Sequence, residues 1–398
     1  MNYKKGLERN LKLYCIRGIF ERRPYLPIIT IYATMVSGVT LVQIGIIASI
    51  TAFVSLVVEI PSGYISDKFG HKRALILGAF LMIASAFSYV VWQNFFGACM
   101  GMVIFWTGAA FHSGTIAAFV HETLEGLGRD DDFVTVAARE RRWAMAGNII
   151  FVATVPLTYQ ISSILPFIIG AFMHAIAFVL YAFMTTPKKV HQEIQEDVAD
   201  GFFALISTIK ERKEIALFLF LGIVSSMHNK LPQFREIYFQ EIGVPIWFFG
   251  FILSITGIVT ILFTYGVPRV KKIEPRIFYG IDFLIACLLG ISIGFISQPI
   301  FGVSILIIFA AYRRVRSIVV HAHLLDDCPT QKLKATYLSV YAFFSALADI
   351  FIPLMLGYAI GYAGVQKGYL IFGVLLLIVL APMYLVVYKN MCKNDKIF

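Results

Sequence analysis

Long apolar segments recur along the whole chain, and they restrict its possible folds more than any other feature. We read twelve of them, each close to the roughly 20 residues that an α-helix needs to cross the hydrocarbon core of a bilayer. Hydrophobic residues make up 59% of the chain and charged residues 15%, whereas soluble domains average about 25% charged residues. Barrel strands would alternate polar and apolar residues over about ten positions. The pattern therefore predicts an all-α integral membrane protein.

The longest polar stretch between predicted spans, residues 186–213, divides them six and six. We therefore predict an N-terminal bundle over 1–187, a cytoplasmic linker over 188–213 and a C-terminal bundle over 214–398. Two related bundles of this kind place a binding site at the bilayer midplane. The predicted spans are 13–36, 43–65, 74–92, 95–121, 143–163, 166–185, 214–239, 246–266, 277–296, 299–324, 335–358 and 368–388.

Apolar residues in the linker follow a helical spacing. Phe202, Phe203, Ile206 and Ile209 share one face, which predicts an amphipathic helix lying on the inner leaflet. A plain solvated linker is the alternative.

The positive charges fix an orientation. Of the 34 Lys and Arg residues, 25 fall in the tails and loops that lie inside if the N-terminus is inside, which is the pattern expected of cytoplasmic segments. The net charge of +10 is therefore explained by topology, and no nucleic acid partner is predicted. We expect no cleaved signal peptide, a multi-pass protein of a prokaryotic plasma membrane, and both termini in the cytoplasm.

The five cysteines stand singly, so we predict neither a disulfide framework nor a metal site. No phosphate-binding G-x-x-x-x-G-K-[ST] loop and no nucleophile with a base is visible. We expect neither a cofactor nor enzyme activity.

The loop between the second and third predicted spans reads GYISDKFGHKR, residues 63–73. Its spacing G-x-x-x-D-x-x-G-x-(K/R)-(K/R) resembles the signature of the major facilitator superfamily, with His71 where that family usually has a basic residue. The resemblance implies twelve helices in two pseudo-symmetric six-helix bundles, and a loop that latches the outward-facing state. The residues that carry this predicted latch are Glu59, Gly63, Asp67, Gly70, Lys72 and Arg73.

The stretch 108–129 resembles the fourth helix in the drug and metabolite exporter-like branches of the family. In the second half, residues 266–276 keep the leading glycine and the basic charge, but Val270 stands where the acid of the signature would be. This second loop is therefore predicted to serve topology only.

Charges also stand in or beside the first predicted span, in IRGIFERRPYLP. An ionised residue at the bilayer centre costs about 2.5–3.5 kcal/mol. Arg17 and Glu21 share a helix face, and their i,i+4 spacing predicts an ion pair. Arg22 and Arg23 point elsewhere. Two depths stay open: near mid-membrane, or at the inner interface if the helix begins at Pro24.

The tenth predicted span repeats the pattern. Arg313 and Arg316 lie on one face, while Arg314 points away and is predicted to pair with Asp349 of the eleventh span. In the superfamily, the first, fourth, seventh and tenth helices line the central cavity. The residues that we predict to bind substrate on these helices are Arg17, Glu21, Arg22, His112, His228, Lys230, Arg313 and Arg316.

The surplus of guanidinium groups favours an anionic solute, because the planar fork of arginine matches carboxylate and phosphate groups. Internal salt bridges, with a substrate path of aromatic side chains, are the alternative. Glu21 and Asp349 are the predicted proton-coupling residues, and His112 is either a third or a hydrogen-bonding helix contact. We predict a monomeric, proton-coupled exporter of a small organic anion; an importer or a receptor without transport are the alternatives.

Overall fold

The computed structural model describes residues 3–188, 212–328 and 334–394, and these ranges contain helices and turns but no strand. Within them, nine helical segments are long and apolar enough to cross a membrane. The predicted spans that do not qualify are the first, the fifth and the tenth. These three carry several arginines and acidic residues in or beside their apolar stretch, which lowers their hydropathy. The amphipathic helix predicted at Phe202–Ile209 lies outside the described residues.

The helices before the linker are α1 Tyr3–Phe20, α2 Ile29–Met35, α3 Leu41–Phe69, α4 His71–Val91, α5 Phe95–His112, α6 Thr115–Glu125, α7 Phe133–Thr154 and α8 Leu165–Phe183. Short 3-10 helices at Leu26–Ile28, Asp130–Asp132 and Val155–Gln160 complete this half.

The helices after the linker are α9 Arg212–Lys230, α10 Arg235–Glu241, α11 Phe249–Thr264, α12 Val267–Val270, α13 Pro275–Ile293, α14 Pro299–Asp326, α15 Lys334–Ala363 and α16 Val365–Asn394. A 3-10 turn at Leu231–Phe234 joins α9 to α10, and another at Ile246–Phe248 leads into α11.

The chain forms two compact units. The first consists of Met1–Val39, Ile50–Ile194 and Pro245–Ser254, and the second of Thr40–Ser49, Gln195–Val244 and Ile255–Phe398. Inside the second unit, glycines let two helix backbones touch: a Cβ added to Gly357 of α15 would lie 2.9 Å from the Cα of Gly45 of α3. Small residues permit this kind of close helix packing in membranes.

The first span is broken in the middle. Helix α1 begins at Tyr3, ten residues before the predicted start, and ends at Phe20; regular helix resumes only at Leu26. Pro24 explains the interruption, because proline lacks an amide hydrogen and disfavours helical geometry in the residue before it. A continuous helix through the charges and a helix that begins at Pro24 are therefore both wrong.

The fourth predicted span is also divided. Helix α5 ends at His112, and α6 begins at Thr115 after Gly114, whose φ is +71°. Residues with a side chain rarely adopt that φ, so glycine permits the turn. The continuous helix predicted over 95–121 is therefore wrong at this point. Each of these two breaks lies beside a charged or titratable group, Glu21 in the first and His112 in the second.

Candidate functional site

The first unit contains a cluster of charged groups around Glu21. Arg17, from the last turn of α1, forms an ion pair with Glu21 and donates from Nη2 to Oε1 of Glu140 of α7 at 3.0 Å. The Tyr181 hydroxyl of α8 donates to Glu21 Oε1 at 2.8 Å, and Nδ1 of His112 faces the same oxygen. The predicted pairing of Arg17 with Glu21 is confirmed.

The geometry of His112 defines where a proton lies. Its Nε2 is 2.9 Å from the backbone oxygen of Leu75. Since a carbonyl oxygen only accepts, Nε2 must carry the hydrogen. The other ring nitrogen, Nδ1, then has a lone pair directed at the Glu21 carboxylate unless a further proton lies between them. The groups in direct contact comprise one guanidinium and two carboxylates, so such a proton balances their charge.

The two other arginines of this stretch lie apart from the cluster. Arg22 is exposed. Arg23 is buried, with its guanidinium 3.9 Å from the ring centre of Phe105 and Nη2 3.4 Å from the sulfur of Met102. A cation over an aromatic face is stabilised by the ring quadrupole, which explains how a buried arginine is accommodated there. Arg22 is therefore not grouped with the other predicted ligands of the first span.

The second unit contains a buried ion pair between Arg316 of α14 and Asp282 of α13. Arg316 Nε donates to Asp282 Oδ2 at 2.7 Å, and Tyr312 donates to Oδ1 at 2.9 Å. Arg316 Nη1 donates to the Ser225 hydroxyl of α9 at 3.1 Å, and Tyr341 donates to the same hydroxyl at 2.9 Å. Both members of the pair are at most 2% exposed. Arg316 of α14 is thus bonded directly to two neighbouring helices, α13 and α9.

His228 lies on the other side of Asp282. Its Nδ1 is 2.8 Å from the backbone oxygen of Val224, so Nδ1 carries the hydrogen. Its Nε2 is 3.4 Å from Asp282 Oδ1, which is longer than a normal N–H···O bond. The ring stacks on Phe309 with centroids 5.2 Å apart. His228 is therefore a buried, packed neighbour of the pair.

Asp282 is the site residue that sequence reasoning missed. It is a lone acid inside a predicted span, in YGIDFLIAC, and an ionisable residue within a membrane helix usually marks a functional or paired site. That signal was available from the sequence. The identity of its partner was not, because Asp282 and Arg316 are 34 residues apart on different helices.

A cavity of about 310 Å³ opens beside this pair, wholly within the second unit. Among the described residues, Arg313 forms neither an ion pair nor a hydrogen bond, and Nη2 of the buried Arg316 has no hydrogen-bond partner. Both therefore present unused N–H groups at its wall. The cavity is lined by Ser225, Asn229, Arg313, Arg316, Ser317, His321, Tyr341, Ala342, Ser345, Ala346 and Asp349.

Asp349 has a different partner from the one predicted. Its Oδ2 is 3.4 Å from Nζ of Lys230, whereas Arg314 is exposed. The prediction of an Arg314–Asp349 pair is wrong, because α9 packs beside α15 and places Lys230 next to Asp349. Lys230 is thus the ion-pair partner of an acid that lines the cavity.

The chain matches the model of the Major Facilitator Superfamily over residues 19–322. It belongs to this superfamily. Among curated proteins it is 33% identical over 92 residues to an uncharacterized transporter of Buchnera aphidicola subsp. Schizaphis graminum, and 26% identical over 169 residues to one of Buchnera aphidicola subsp. Acyrthosiphon pisum. These alignments cover 23% and 41% of this chain and the same shares of the two relatives, less than half the length of either.

Solved structures agree with the superfamily fold. The nucleoside transporter NupG has a TM-score of 0.75 at 18% identity, covering 98% of this chain and 100% of NupG. A POT family transporter in complex with a thioalcohol-conjugated peptide has a TM-score of 0.71 at 16% identity, covering 97% and 96%. A bacterial homologue of the lysosomal transporter Spinster has a TM-score of 0.68 at 14%, covering 99% and 98%. At such identities the likeness concerns the fold alone.

Membership of the Major Facilitator Superfamily makes this chain a multi-pass transporter rather than an enzyme. Within the described ranges, no group of three or more His, Cys, Asp or Glu side chains could hold a metal ion.

The superfamily's signature loop has a specific local structure. Gly70 separates α3 from α4 with a φ of +96°, and Lys72 donates to the backbone oxygen of Ala182 at 2.9 Å. His71, which replaces the usual basic residue, lies 2.8 Å from the Ser66 hydroxyl and 3.3 Å from Glu122. His71 therefore joins the loop to α6 in the manner of a basic side chain.

The remaining residues of the signature are more open. Glu59, Asp67 and Arg73 are exposed, and a Cβ added to Gly63 would meet nothing within 4 Å. Close helix packing among the described residues therefore does not explain the glycine at position 63.

Proposed function

We propose that this chain is a secondary active transporter that moves a small polar organic solute with an anionic group across the membrane by alternating access, coupled to protons. The proposed organisation is twelve helices in two pseudo-symmetric bundles, as a monomer in a bacterial inner membrane with both termini in the cytoplasm.

The cavity of the second unit is the observation that carries the proposal. Arg313 lines it without an acidic partner among the described residues, and Arg316 lines it with one N–H₂ group unbonded. An unpaired guanidinium in a membrane protein is costly and favours an anionic ligand that offers a carboxylate or phosphate fork. We assign Arg313 and Arg316 to substrate binding, with Lys230 and His228 in supporting positions.

The Glu21 cluster supports the proton-coupled part of the proposal. A proton between His112 and Glu21 balances the charges, and its loss would leave Glu21 free to hold Arg17 more tightly. We assign Glu21 and His112 to proton binding, with Arg17 as the ion-pair partner of Glu21, rather than to the substrate, because their polar atoms are directed at one another. Asp349 is the second predicted coupling residue.

The solved neighbours are compatible with a polar solute. Two of the similar structures are those of a nucleoside transporter and of a transporter bound to a peptide conjugate, and both kinds of solute are small and rich in hydrogen-bonding groups. The cavity volume of about 310 Å³ lies near the lower end of the range for small-molecule sites.

Reconstitution in proteoliposomes tests the proposal. We expect exchange of an organic anion across the bilayer, driven by an imposed pH gradient and abolished by Arg313→Gln. Transport of lipophilic cations only would contradict the anionic assignment. Binding without exchange would favour the receptor alternative. The direction of transport follows from comparing inverted with right-side-out vesicles. Export, the direction predicted from the sequence, requires that the solute accumulates inside inverted vesicles. Uptake requires that it accumulates inside right-side-out vesicles.

A further inference from the structure

One side of the cavity in the second unit is formed by a single face of helix α15, which sets the length of the cavity along that helix. Tyr341, Ser345 and Asp349 of α15 all line it, and they follow one another at i, i+4 and i+8 on one face. At 1.5 Å per residue this wall is about 12 Å long. The His321 ring contacts Tyr341 at one end, with centroids 5.5 Å apart, and Lys230 contacts Asp349 at the other.

The charged side chains at and next to the cavity form ion pairs, with Arg313 as the exception. Arg316 is neutralised by Asp282 at 2.7 Å, and Lys230 by Asp349 at 3.4 Å. His228 lies behind the Arg316–Asp282 pair and is not part of the cavity lining. Among the described arginines and lysines that line the cavity, Arg313 is the one without an acidic partner.

This pairing limits the charge that a ligand can carry. One negative group on the ligand completes the balance at Arg313 and can also accept from the unbonded Arg316 Nη2. A second negative group would have no cation left to neutralise it, and a buried unpaired charge is strongly unfavourable. The rest of the wall offers neutral hydrogen-bonding groups from Ser225, Asn229, Ser317 and Ser345.

We infer that the substrate carries a single negative charge on a body rich in hydroxyl or amide groups, with the anionic group at Arg313. The inference rests on the proposed function and narrows it, because polycarboxylates and simple fatty acids are excluded as preferred solutes.

Four probes of similar size separate the two features: glucose, gluconate and glucarate, which carry zero, one and two carboxylates on the same hydroxylated six-carbon skeleton, and hexanoate, which has one carboxylate and no hydroxyl. We would measure their binding to the purified full-length protein at pH 7 by calorimetry. Gluconate is expected to bind at least about tenfold more tightly than glucose and glucarate, which is the scale of one unit charge at contact distance in water. It is also expected to bind more tightly than hexanoate, which has the same charge but no hydroxyl groups for the polar wall.

The outcomes separate the inference from the proposed function. If glucarate binds as tightly as gluconate, the inference that the substrate carries a single negative charge is wrong. If hexanoate binds more tightly than gluconate, the inference that the substrate is rich in polar groups is wrong. Both results would still be consistent with an anion transporter. Glucose binding as tightly as gluconate would refute the anionic function itself. Failure of all four to bind overturns the inference; exchange of another anion in proteoliposomes would still support the proposed function.

A matched pair of variants tests the charge count directly. Asp349→Asn leaves Lys230 as a second uncompensated cation, so the ratio of glucarate to gluconate affinity is expected to rise about tenfold. The double variant Lys230→Gln with Asp349→Asn restores the balance and is expected to restore the preference for gluconate. An unchanged ratio in the single variant would contradict the inference, and the double variant also controls for loss of folding.

Discussion

Glu21 and Glu140 both contact Arg17, yet only Glu21 also faces His112. We therefore expect Glu21→Gln to flatten the pH dependence of transport, because the shared proton loses its carboxylate, while exchange of solute at equal pH persists. Glu140→Gln is the matched control and is expected to lower the rate but keep the pH profile. Proteoliposome transport between pH 5.5 and 8 measures both. A Glu21→Gln protein with the wild-type profile would contradict the assignment.

Asp282 should matter for stability more than Asp349. Removing one partner of a fully buried ion pair leaves the other charge unpaired and costs about 3–5 kcal/mol. Asp282→Asn is therefore expected to lower the thermal unfolding midpoint in detergent by several degrees. Asp349→Asn should have a smaller effect, because the Asp349 side chain is 21% exposed. Equal midpoints for the two variants would show that the Arg316–Asp282 pair is not important for folding.

At the residue scale, the sequence predicts local partners and fails for distant ones. The pairing of Arg17 with Glu21 follows from helix periodicity alone and is confirmed. The partner of Asp349 depends on which helix packs beside α15, so sequence reasoning chose Arg314 in place of Lys230. The role of Asp282 depends in the same way on the packing of α13 against α14.

At the scale of the helix, the two breaks differ in how visible they are. Pro24 follows the charges directly, and it was recognised only as a possible helix start. The break at Gly114 has no proline, and glycine inside an apolar run is common in membrane helices. The φ of +71° at Gly114 therefore had to come from the structure. Each break lies next to one of two side chains that face each other, Glu21 at the first and His112 at the second.

The break in the fourth span gives a direct test. Gly114→Ala is expected to destabilise the protein by about 1–3 kcal/mol, because a side chain is strained at that φ, although no atom within 4 Å would obstruct the Cβ. Gly63→Ala is the control: its Cβ is equally unobstructed, but it lies inside α3, where alanine is favoured over glycine by about 0.5–1 kcal/mol. Thermal unfolding in detergent compares them, and equal midpoints would contradict a strained turn at Gly114.

At the scale of the molecule, hydropathy and the signature loop were sufficient to predict an all-helical membrane transporter of this superfamily. The predicted count of twelve spans was reached from apolar length alone, whereas nine segments of the described chain satisfy the criteria of length and hydropathy. The difference arises at the predicted spans that carry charged residues, because these residues lower the mean hydropathy of the span. Domain boundaries at 187 and 214 remain predictions.

The orientation is also a prediction, and it can be measured in cells. Single cysteines at Asp131 and at Lys367, both exposed, are introduced after replacing the five native cysteines. A membrane-impermeant maleimide is expected to label Lys367→Cys in intact cells and to spare Asp131→Cys until the membrane is permeabilised. The reverse pattern would place both termini outside and contradict the positive-inside argument.

The broken first span has a consequence for how the nascent chain enters the membrane. Leu26–Met35 is an apolar helical stretch of ten residues, which covers about 15 Å, or half of the hydrocarbon thickness. The translocon therefore receives this weak segment directly before Leu41–Phe69, which has a mean hydropathy of 2.4. Partitioning of the first segment into lipid should await synthesis of the second, so that both insert together as a hairpin.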